Sequence, residues 1–345
     1  VRSVSVKSLD KSLTSEAGYV VNRRNAGNHA AFAAGASMAA AYKSADPDFE
    51  NKWMYYGAAD GSFSIYPGIL WPRDKEDTTK CGAKYDPRLR PWYLSASNGP
   101  KNVIFILDVS GSMSQNGRLE SMKKAAIEMI DSLSFADYIG VVTFSSKAQT
   151  LYNLKFLAPA QSRFRDKLKS LVSELKAEGA TNYEAALMQA FKVADTSYQA
   201  NYDSGYQTAY VFLTDGEQTE GSPEYVSLVS TRTAKNVKRA ETFIVIGFGS
   251  GLQDDAKIKL KSMACTGKGI YQQVADRTSN GDGDVARADF ELVKALSLFS
   301  QYFTTKNTLK KRDSVTYSEI YELSWDGVTS GMEITTASVP VYDKS

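Results

Sequence analysis

The sequence predicts an α/β fold built on a doubly wound, mostly parallel sheet. Residues 103–107 form an apolar run with no polar side chain to face water, and residues 210–214 form a second, largely apolar run. Such runs are typical of strands that are buried on both faces of a parallel sheet. Amphipathic helical patterns alternate with the predicted strands, and this order places helices on both faces of the sheet.

The predicted elements of this fold follow one another between residues 100 and 305. Gly179 is expected to close the second helix, because glycine is favoured just after a helix end. Strands are predicted at 103–108, 138–144, 210–214 and 242–247, with a short one near residue 270. Apolar residues at helical spacing predict helices at 117–133, 164–175, 182–195, 223–238, 254–264 and 286–303.

The segments on either side of this fold have a different character. An alanine-rich composition predicts a helix over residues 19–43. Residues 53–71 alternate aromatic and small side chains, a pattern that predicts a β-hairpin. Residues 320–342 are predicted to return to strands, with Gly327 and Gly331 at turns.

Composition and charge exclude several classes of function. The chain has 41 basic and 39 acidic residues without a basic run, so binding to nucleic acid or to an anionic membrane surface is not indicated. No apolar stretch approaches the roughly 20 residues that a transmembrane segment needs. The chain has a single histidine, His29, and lacks Ser-His-Asp, HExxH and phosphate-loop motifs, which indicates that it is not an enzyme.

Oxygen donors gather at the end of the first predicted strand. Asp108, Ser110 and Ser112 occupy alternate positions, and Gly111 allows the backbone to bend between the two serines. Open α/β sheets place their sites at the carboxyl ends of their strands. One carboxylate and two hydroxyls suit Mg²⁺, or Mn²⁺ or Ca²⁺, with a coordination position left open.

Two further fragments are expected at the same edge of the sheet. Thr181 comes just before a predicted helix, and Asp215 follows the predicted strand at 210–214. Taken singly, the fragments also fit simpler interpretations, namely a capping serine, a threonine at a helix N-cap and an aspartate in a turn. Together they predict one metal site, because they lie at corresponding ends of neighbouring elements.

These five positions resemble the metal-ion-dependent adhesion site of von Willebrand factor A domains. The resemblance implies that Ser110, Ser112 and Thr181 ligate the metal directly or nearly so. It implies that Asp108 and Asp215 act partly through water, and that a partner protein donates a carboxylate to the open position. A cation whose nearest ligands are mostly neutral stays electron-poor, so it attracts an outside acid group.

The flanking segments carry a second resemblance. Tyr66-Pro67-Gly68, Trp71 and the run Tyr85-Asp86-Pro87-Arg88-Leu89-Arg90-Pro91-Trp92-Tyr93 resemble the first half of an α+β Cache domain in calcium-channel alpha-2/delta subunits and related Cache proteins. Residues 331–343 resemble its continuation. The resemblance implies an N-terminal helix and first Cache segment at residues 1–99, an inserted A domain at 100–305, and a resumed but incomplete Cache domain at 306–345.

Cache domains of this type often bind a free amino acid. By position, the resemblance implies that Arg90 pairs with the carboxylate of this ligand, while Tyr66 and Trp71 line the pocket. A guanidinium suits the task because it can give two parallel hydrogen bonds to a carboxylate. The alternative interpretation is structural, with Arg90 paired to a nearby carboxylate such as Asp86 and the aromatic side chains in a core.

Two functions follow from these patterns. The first is a non-enzymatic, metal-dependent adhesion or accessory module of an extracellular or cell-surface protein that is membrane-associated at full length. Its partner is expected to be a channel subunit or an extracellular structural protein that offers an acidic side chain. The alternative is the sensing or binding of an amino acid or another small ligand through the Cache pocket.

The two cysteines leave two possibilities open. Cys81 and Cys265 are expected near the junction of the two domains, and a disulfide between them is one interpretation. The other interpretation is that Cys265 is a buried thiol, the commoner state of a lone cysteine in an apolar context.

Overall fold

The computed structural model describes most of the central part of the chain and shorter segments on either side. The chain divides into two compact units, of which the first combines Val1–Gly99 with Thr304–Ser345 and the second is Pro100–Phe303. The described residues are 2–3, 14–15, 20–22, 44, 54–57, 63–66, 68–69, 91–216, 218–235, 240–249, 252–276, 291–292, 294–296, 298–299, 302–304, 315–318, 320–325 and 328–339.

Strands and helices are numbered in chain order within the described residues. The strands are β1 (Arg2–Ser3), β2 (Thr14–Ser15), β3 (Val20–Asn22), β4 (Met54–Gly57), β5 (Phe63–Tyr66), β6 (Gly68–Ile69), β7 (Asn102–Asp108), β8 (Tyr138–Phe144), β9 (Ala148–Thr150), β10 (Ala158–Pro159), β11 (Thr208–Thr214), β12 (Glu241–Phe248), β13 (Ile270–Val274), β14 (Thr316–Tyr317), β15 (Tyr321–Trp325), β16 (Val328–Ile334) and β17 (Thr336–Ser338). The helices are α1 (Pro91–Asn98), α2 (Arg118–Asp131), α3 (Ser162–Ser173), α4 (Tyr183–Gln199), α5 (Tyr225–Lys235) and α6 (Asp254–Thr266), followed by a last helix whose described residues lie within 291–304.

The second unit is built on a seven-stranded sheet. Its order is β10-β8-β7-β11-β12-β13, and β9 also pairs with β8. Neighbouring strands from β8 to β13 are parallel, whereas β9 and β10 run antiparallel to β8. The predicted fold class is therefore confirmed. The patterns missed β9 and β10 because strands of three and two residues are too short to show a period.

Both faces of this sheet are covered by helices. Phe105 and Leu107 face a core shared with α2, α3 and the last helix, whereas Ile104 and Ile106 face a core shared with α4, α5 and α6. All four side chains are fully buried. Because successive residues of a strand point to opposite faces, burial on both sides requires the unbroken apolar run seen in the sequence.

The prediction for Gly179 is wrong. Helix α3 ends at Ser173, and Gly179 lies in the following loop with a φ of +81°. The apolar spacing continued past the helix end because Leu175, although outside the helix, also packs against the core. The left-handed backbone at Gly179 therefore shapes a loop and does not cap a helix.

The first unit consists of short antiparallel sheets. The predicted hairpin in residues 53–71 is present, with Met54 of β4 opposite Tyr66 of β5. The predicted helix over residues 19–43 is wrong at its start, where β3 pairs with β5, and the rest of it lies outside the described residues. The turn predicted at Gly331 is also wrong, because this residue lies within β16, which pairs with β15. Glycine marks turns only as a tendency, and strand pairing overrides it here.

Residues far apart in sequence hold the first unit together. Strand β1 pairs with β17, and the buried rings of Tyr55 and Trp92 lie 4.7 Å apart. The Tyr55 hydroxyl forms a hydrogen bond with the Thr336 hydroxyl. Thr304 Oγ1 donates to Asn98 Oδ1 at 2.8 Å. The segments before and after the second unit are therefore parts of one structure.

The second unit also begins and ends with residues that lie close together. The Lys101 ammonium lies 5.2 Å from the centroid of the Phe303 ring. Both side chains are buried, and Lys101 is paired with Asp137 at 3.0 Å. Across the described part of the chain, no helix is both long and apolar enough to cross a bilayer.

Candidate metal centre

The loop after β7 turns Asp108 and two serine hydroxyls toward one another. Asp108 is fully buried, and its Oδ1 accepts a hydrogen bond from the Ser110 backbone N–H at 2.8 Å. A short 3₁₀ helix over Gly111–Ser114 then brings Ser112 back toward Ser110. Their Oγ atoms lie 3.1 Å apart. The bend thus converts alternate positions in the sequence into a cluster of oxygen atoms.

Asp215 joins this cluster from the end of β11. Ser112 Oγ donates to Asp215 Oδ1 at 2.9 Å, and Asp215 is buried. Strands β7 and β11 are parallel neighbours, so the residues that follow them reach the same edge of the sheet. Four of the five predicted residues are therefore linked through hydrogen bonds.

Thr181 is brought to the same edge through its backbone. The loop that contains it is joined to the β7 loop by hydrogen bonds from Gly111 N to Gly179 O at 2.9 Å and from Glu178 N to Val109 O at 2.7 Å. Asn182, and not Thr181, caps α4, since its side chain accepts from a backbone N–H of the first turn. With the described residues, the Thr181 hydroxyl forms no hydrogen bond, so it is available as a ligand.

The loop after β11 holds Thr181 from the other side. Thr219 donates its backbone N–H to the Thr181 carbonyl at 2.9 Å and accepts from the Thr181 N–H through its hydroxyl, also at 2.9 Å. Glu220 N donates to the same carbonyl at 3.0 Å. Three loops are thus tied together, mainly by main-chain contacts, at one edge of the sheet.

A buried hydrogen-bond chain supports Asp108 from below. Thr214 Oγ1 donates to Asp108 Oδ2 at 2.6 Å and accepts from the Tyr183 hydroxyl at 2.7 Å. Burial, and then the negative charge of Asp108, raise the pKa of Tyr183 well above its usual value, so this phenol stays protonated and donates. No sequence pattern pointed to Thr214 or Tyr183 as part of the site, because their contacts depend on how α4 packs on the sheet.

The electrostatics of the cluster fit a bound cation. Burial raises the pKa of Asp108 to about 7, and the nearby charge of Asp215 adds to this effect. Among the described residues, no group of three or more His, Cys, Asp or Glu side chains is placed to hold a metal. The predicted donor set is instead three hydroxyls and two carboxylates, which are the hard oxygen ligands that Mg²⁺ and Ca²⁺ prefer.

We expect Thr214→Val to lower the unfolding free energy by about 2–3 kcal/mol. Valine keeps the shape of threonine but leaves Asp108 and Tyr183 without their shared partner in a buried place. Thr214→Ser is the matched control, because it keeps the hydroxyl and removes only a methyl group. Chemical denaturation in chelator measures both variants, and equal losses would show that the hydroxyl contributes nothing.

Sequence reasoning also missed two charged residues next to the cluster. Arg118 Nη1 donates to Asp215 Oδ2 at 3.1 Å, and Arg118 Nε donates to Asp276 Oδ1 at 2.7 Å. Arg118 begins α2, and Asp276 follows β13. A position just after a predicted strand was a signal that could have pointed to Asp276. No local pattern pointed to Arg118.

The structure does not describe the side chains predicted for the Cache pocket. Trp71, Arg90 and Cys81 lie outside the described residues, and of Tyr66 only the backbone, at the end of β5, is described. The amino-acid pocket and the disulfide therefore stay predictions. Cys265 is exposed on α6, so its interpretation as a buried thiol is wrong, because the helix turns this position away from the core.

Residues 102–282 match the family described as von Willebrand factor type A domain. The chain belongs to this family. The matched segment lies within the second unit and includes every residue of the candidate metal centre. The predicted resemblance to A domains is therefore confirmed.

Curated relatives of this A domain include calcium-channel subunits. The voltage-dependent calcium channel subunit alpha-2/delta-2 of Mus musculus is 32% identical over 224 residues, which cover 64% of this chain and 18% of that protein. Subunit alpha-2/delta-3 of Rattus norvegicus is 26% identical over 295 residues, 85% of this chain and 25% of that subunit. The chain thus spans a quarter or less of these relatives. The longer match extends beyond the second unit, which is the A-domain unit of this chain, into the flanking segments.

A von Willebrand factor type A protein from Catenulispora acidiphila matches with a TM-score of 0.46 and 23% identity, and the match covers 59% of this chain and 43% of that one. Similarity to alpha-2/delta subunits, as predicted, is confirmed by the curated relatives. The Cache domain itself stays a prediction.

Proposed function

We propose that the A domain of this chain is a divalent-metal-dependent protein-binding module. In this proposal the metal is Mg²⁺, with Ca²⁺ or Mn²⁺ as substitutes, and the ligands are Asp108, Ser110, Ser112, Thr181 and Asp215. When bound, the cation supplies a positive charge with an open position that accepts a carboxylate oxygen from a partner protein. The residues of the chain supply the fixed arrangement of oxygens around it.

One observation carries this proposal, which is the meeting of three loops at the carboxyl edge of the sheet. Backbone hydrogen bonds join the loop after β7 to the loop before α4, and the latter to the loop after β11. The Thr181 hydroxyl forms no hydrogen bond with the described residues, and those described for the Ser110 and Ser112 hydroxyls stay within the candidate centre, so all three oxygens are available to bind one cation. Rigid support of this kind lowers the cost of assembling the site when a ligand arrives.

The proposed function is not catalytic. Ser110 and Ser112 hydrogen-bond with each other, and Ser112 also donates to Asp215. Among the described residues, neither serine is paired with a histidine or lysine that could activate it as a nucleophile. Asp108 is fully buried beneath the hydroxyls and accepts hydrogen bonds from Ser110 and Thr214. The Asp108 carboxylate is thus fixed by its hydrogen bonds and is not exposed at the surface as a base.

The relatives support the choice of partner and location. Several are named as subunits of voltage-dependent calcium channels, so a channel subunit is the leading partner and an extracellular structural protein is the alternative. We propose that the full-length protein is extracellular and associated with the cell surface. The partner is expected to contribute an aspartate or glutamate to the metal.

A capture experiment tests this function. The whole chain is used as bait in membrane and extracellular extracts, once with Mg²⁺ and Ca²⁺ and once with chelator. We expect a partner that is retained only with metal and is lost with Asp108→Ala. Replacing the acidic residue of the partner that fills the open position with its neutral amide should also lower the amount of partner captured.

The matched control is Asp166→Ala, which removes an exposed aspartate of α3 that pairs only with Lys169 among the described side chains. This variant should capture the partner as well as the unaltered chain does. Capture that persists in chelator would overturn the proposal, as would equal losses for Asp108→Ala and Asp166→Ala.

A further inference from the structure

Arg118 lies between the carboxylates of Asp215 and Asp276, which follow β11 and β13 at the edge of the sheet that carries the candidate metal centre. Its guanidinium contacts Asp215 through Nη1 at 3.1 Å and Asp276 through Nε at 2.7 Å and Nη2 at 3.4 Å. The side chain of Arg118 is 14% exposed, compared with 2% for Asp215 and 7% for Asp276. Charges this well buried interact more strongly than charges at a surface.

The surroundings fix the orientation of this guanidinium. An atom added as Cβ at Gly249 would lie 3.2 Å from Arg118 Cζ, so the backbone there lies directly against the planar group. Two hydrogen bonds to Asp276 set the angle of the plane. Arg118 therefore presents one particular nitrogen, Nη1, to Asp215.

The two acids of the metal centre are consequently in different electrostatic states. Asp215 shares one oxygen with Ser112 and the other with the cationic Arg118. The hydrogen bonds described for Asp108 come from neutral donors, namely the Ser110 N–H and the Thr214 hydroxyl. The charge of Asp215 is offset by Arg118, whereas no cationic side chain among the described residues contacts Asp108.

We propose that Arg118 is a positioning residue that holds Asp215 in place and offsets its charge, and that Asp276 controls how strongly it does so. This inference rests on the proposed metal-binding function. Because Arg118 offsets the charge of Asp215, Asp215 neutralises a neighbouring cation less, and the cation attracts the carboxylate of a partner more strongly. Arg118 thus weakens the binding of the metal itself and strengthens the capture of an acidic group.

Titration of the whole chain with Mn²⁺ and with Mg²⁺, followed by calorimetry, tests this inference through the metal alone. We expect Arg118→Gln to bind metal about tenfold more tightly, because a positive charge has been removed beside the site. Arg118→Lys keeps that charge and should stay within about threefold of the unaltered chain. Asp276→Asn leaves the charge of Arg118 less compensated, so metal binding should weaken several-fold.

A purely structural role for Arg118 predicts a different result. Unfolding in chelator should show that Arg118→Gln is less stable under either interpretation, since two buried carboxylates lose a partner. Only the charge-offset role predicts lower stability together with tighter metal binding. Weaker or unchanged metal binding by folded Arg118→Gln would overturn the inference.

Two further outcomes separate this inference from the proposed function. If Arg118→Gln does not fold, Asp276→Asn decides, and metal affinity equal to that of the unaltered chain would overturn the inference. If the unaltered chain binds neither metal, the proposed function fails and the inference fails with it. If the unaltered chain binds metal but the variants change the metal affinity in the directions opposite to those expected, the inference is overturned and the proposed function is not.

Discussion

Asp108→Asn should weaken the binding of Mg²⁺ strongly, raising its Kd about a hundredfold or more. The carboxylate lies at the centre of the cluster and carries the charge that Arg118 does not offset. Asparagine keeps the size of the side chain and can still accept the hydrogen bond from the Ser110 N–H. Isothermal calorimetry gives the affinity, and thermal unfolding with and without Mg²⁺ gives an independent measure, because only a chain that binds metal is stabilised by it.

The same substitution should change how stability depends on pH in chelator. Burial raises the pKa of Asp108 in the folded chain to about 7, from an ordinary value of 3.8. Between about pH 4 and about pH 7 the folded chain therefore binds more protons than the unfolded chain, and its unfolding free energy falls as the pH rises. Asp108→Asn lacks this decline and should be the more stable of the two at pH 8.

The matched control is Asp254→Asn, which alters an aspartate whose side chain is 95% exposed at the start of α6. We expect it to bind Mg²⁺ and to follow the pH dependence of the unaltered chain. A constant difference in unfolding free energy between Asp108→Asn and the unaltered chain across this pH range would contradict the expected titration of Asp108.

Gly269→Ala should destabilise the A-domain unit by about 3 kcal/mol or more. A Cβ at this position would lie 1.9 Å from the Phe243 carbonyl oxygen and 2.6 Å from its carbonyl carbon. Both atoms belong to the backbone of β12, an inner strand of the sheet, so a change of rotamer cannot relieve the overlap. Either β12 or the segment leading into β13 must move.

Gly205→Ala provides the comparison for this prediction. At Gly205 no atom lies within 4 Å of the position of an added Cβ, but φ is +68°. This variant therefore measures only backbone strain, which costs about 1–2 kcal/mol. Urea denaturation of both variants tests the difference, and a loss for Gly269→Ala no larger than that for Gly205→Ala would show that the close approach to β12 is easily relieved.

The buried strands could be predicted because their environment leaves a strong mark on the sequence. Strand β8 was predicted with its observed bounds, and β7 and β11 to within two residues, since burial on both faces demands continuous apolar residues. The edge strands β9 and β10 contain polar residues or proline and are short. Their pairing depends on the neighbouring strand β8, which no local pattern encodes.

The candidate metal centre was predictable to the extent that sheet topology determines it. Residues after parallel strands meet at one edge, which is why Asp108 and Asp215 could be brought together before the structure was known. The contacts of Arg118 could not be found in this way. They join residues 97 and 158 positions apart and depend on side-chain length and on the exact path of two loops.

The nearness of the two ends of the A-domain unit affects how the rest of the chain can fold. Strands β1 and β17 pair although the whole A domain separates them in sequence. Closing an unfolded loop of about 200 residues costs roughly 5 kcal/mol of chain entropy. Once the A domain has folded, Lys101 and Phe303 already lie together, which shortens the loop between β1 and β17 and lowers its closure cost by about 1 kcal/mol. The pairing of β1 with β17 therefore stays a long-range contact, and a folded inserted domain favours it only modestly.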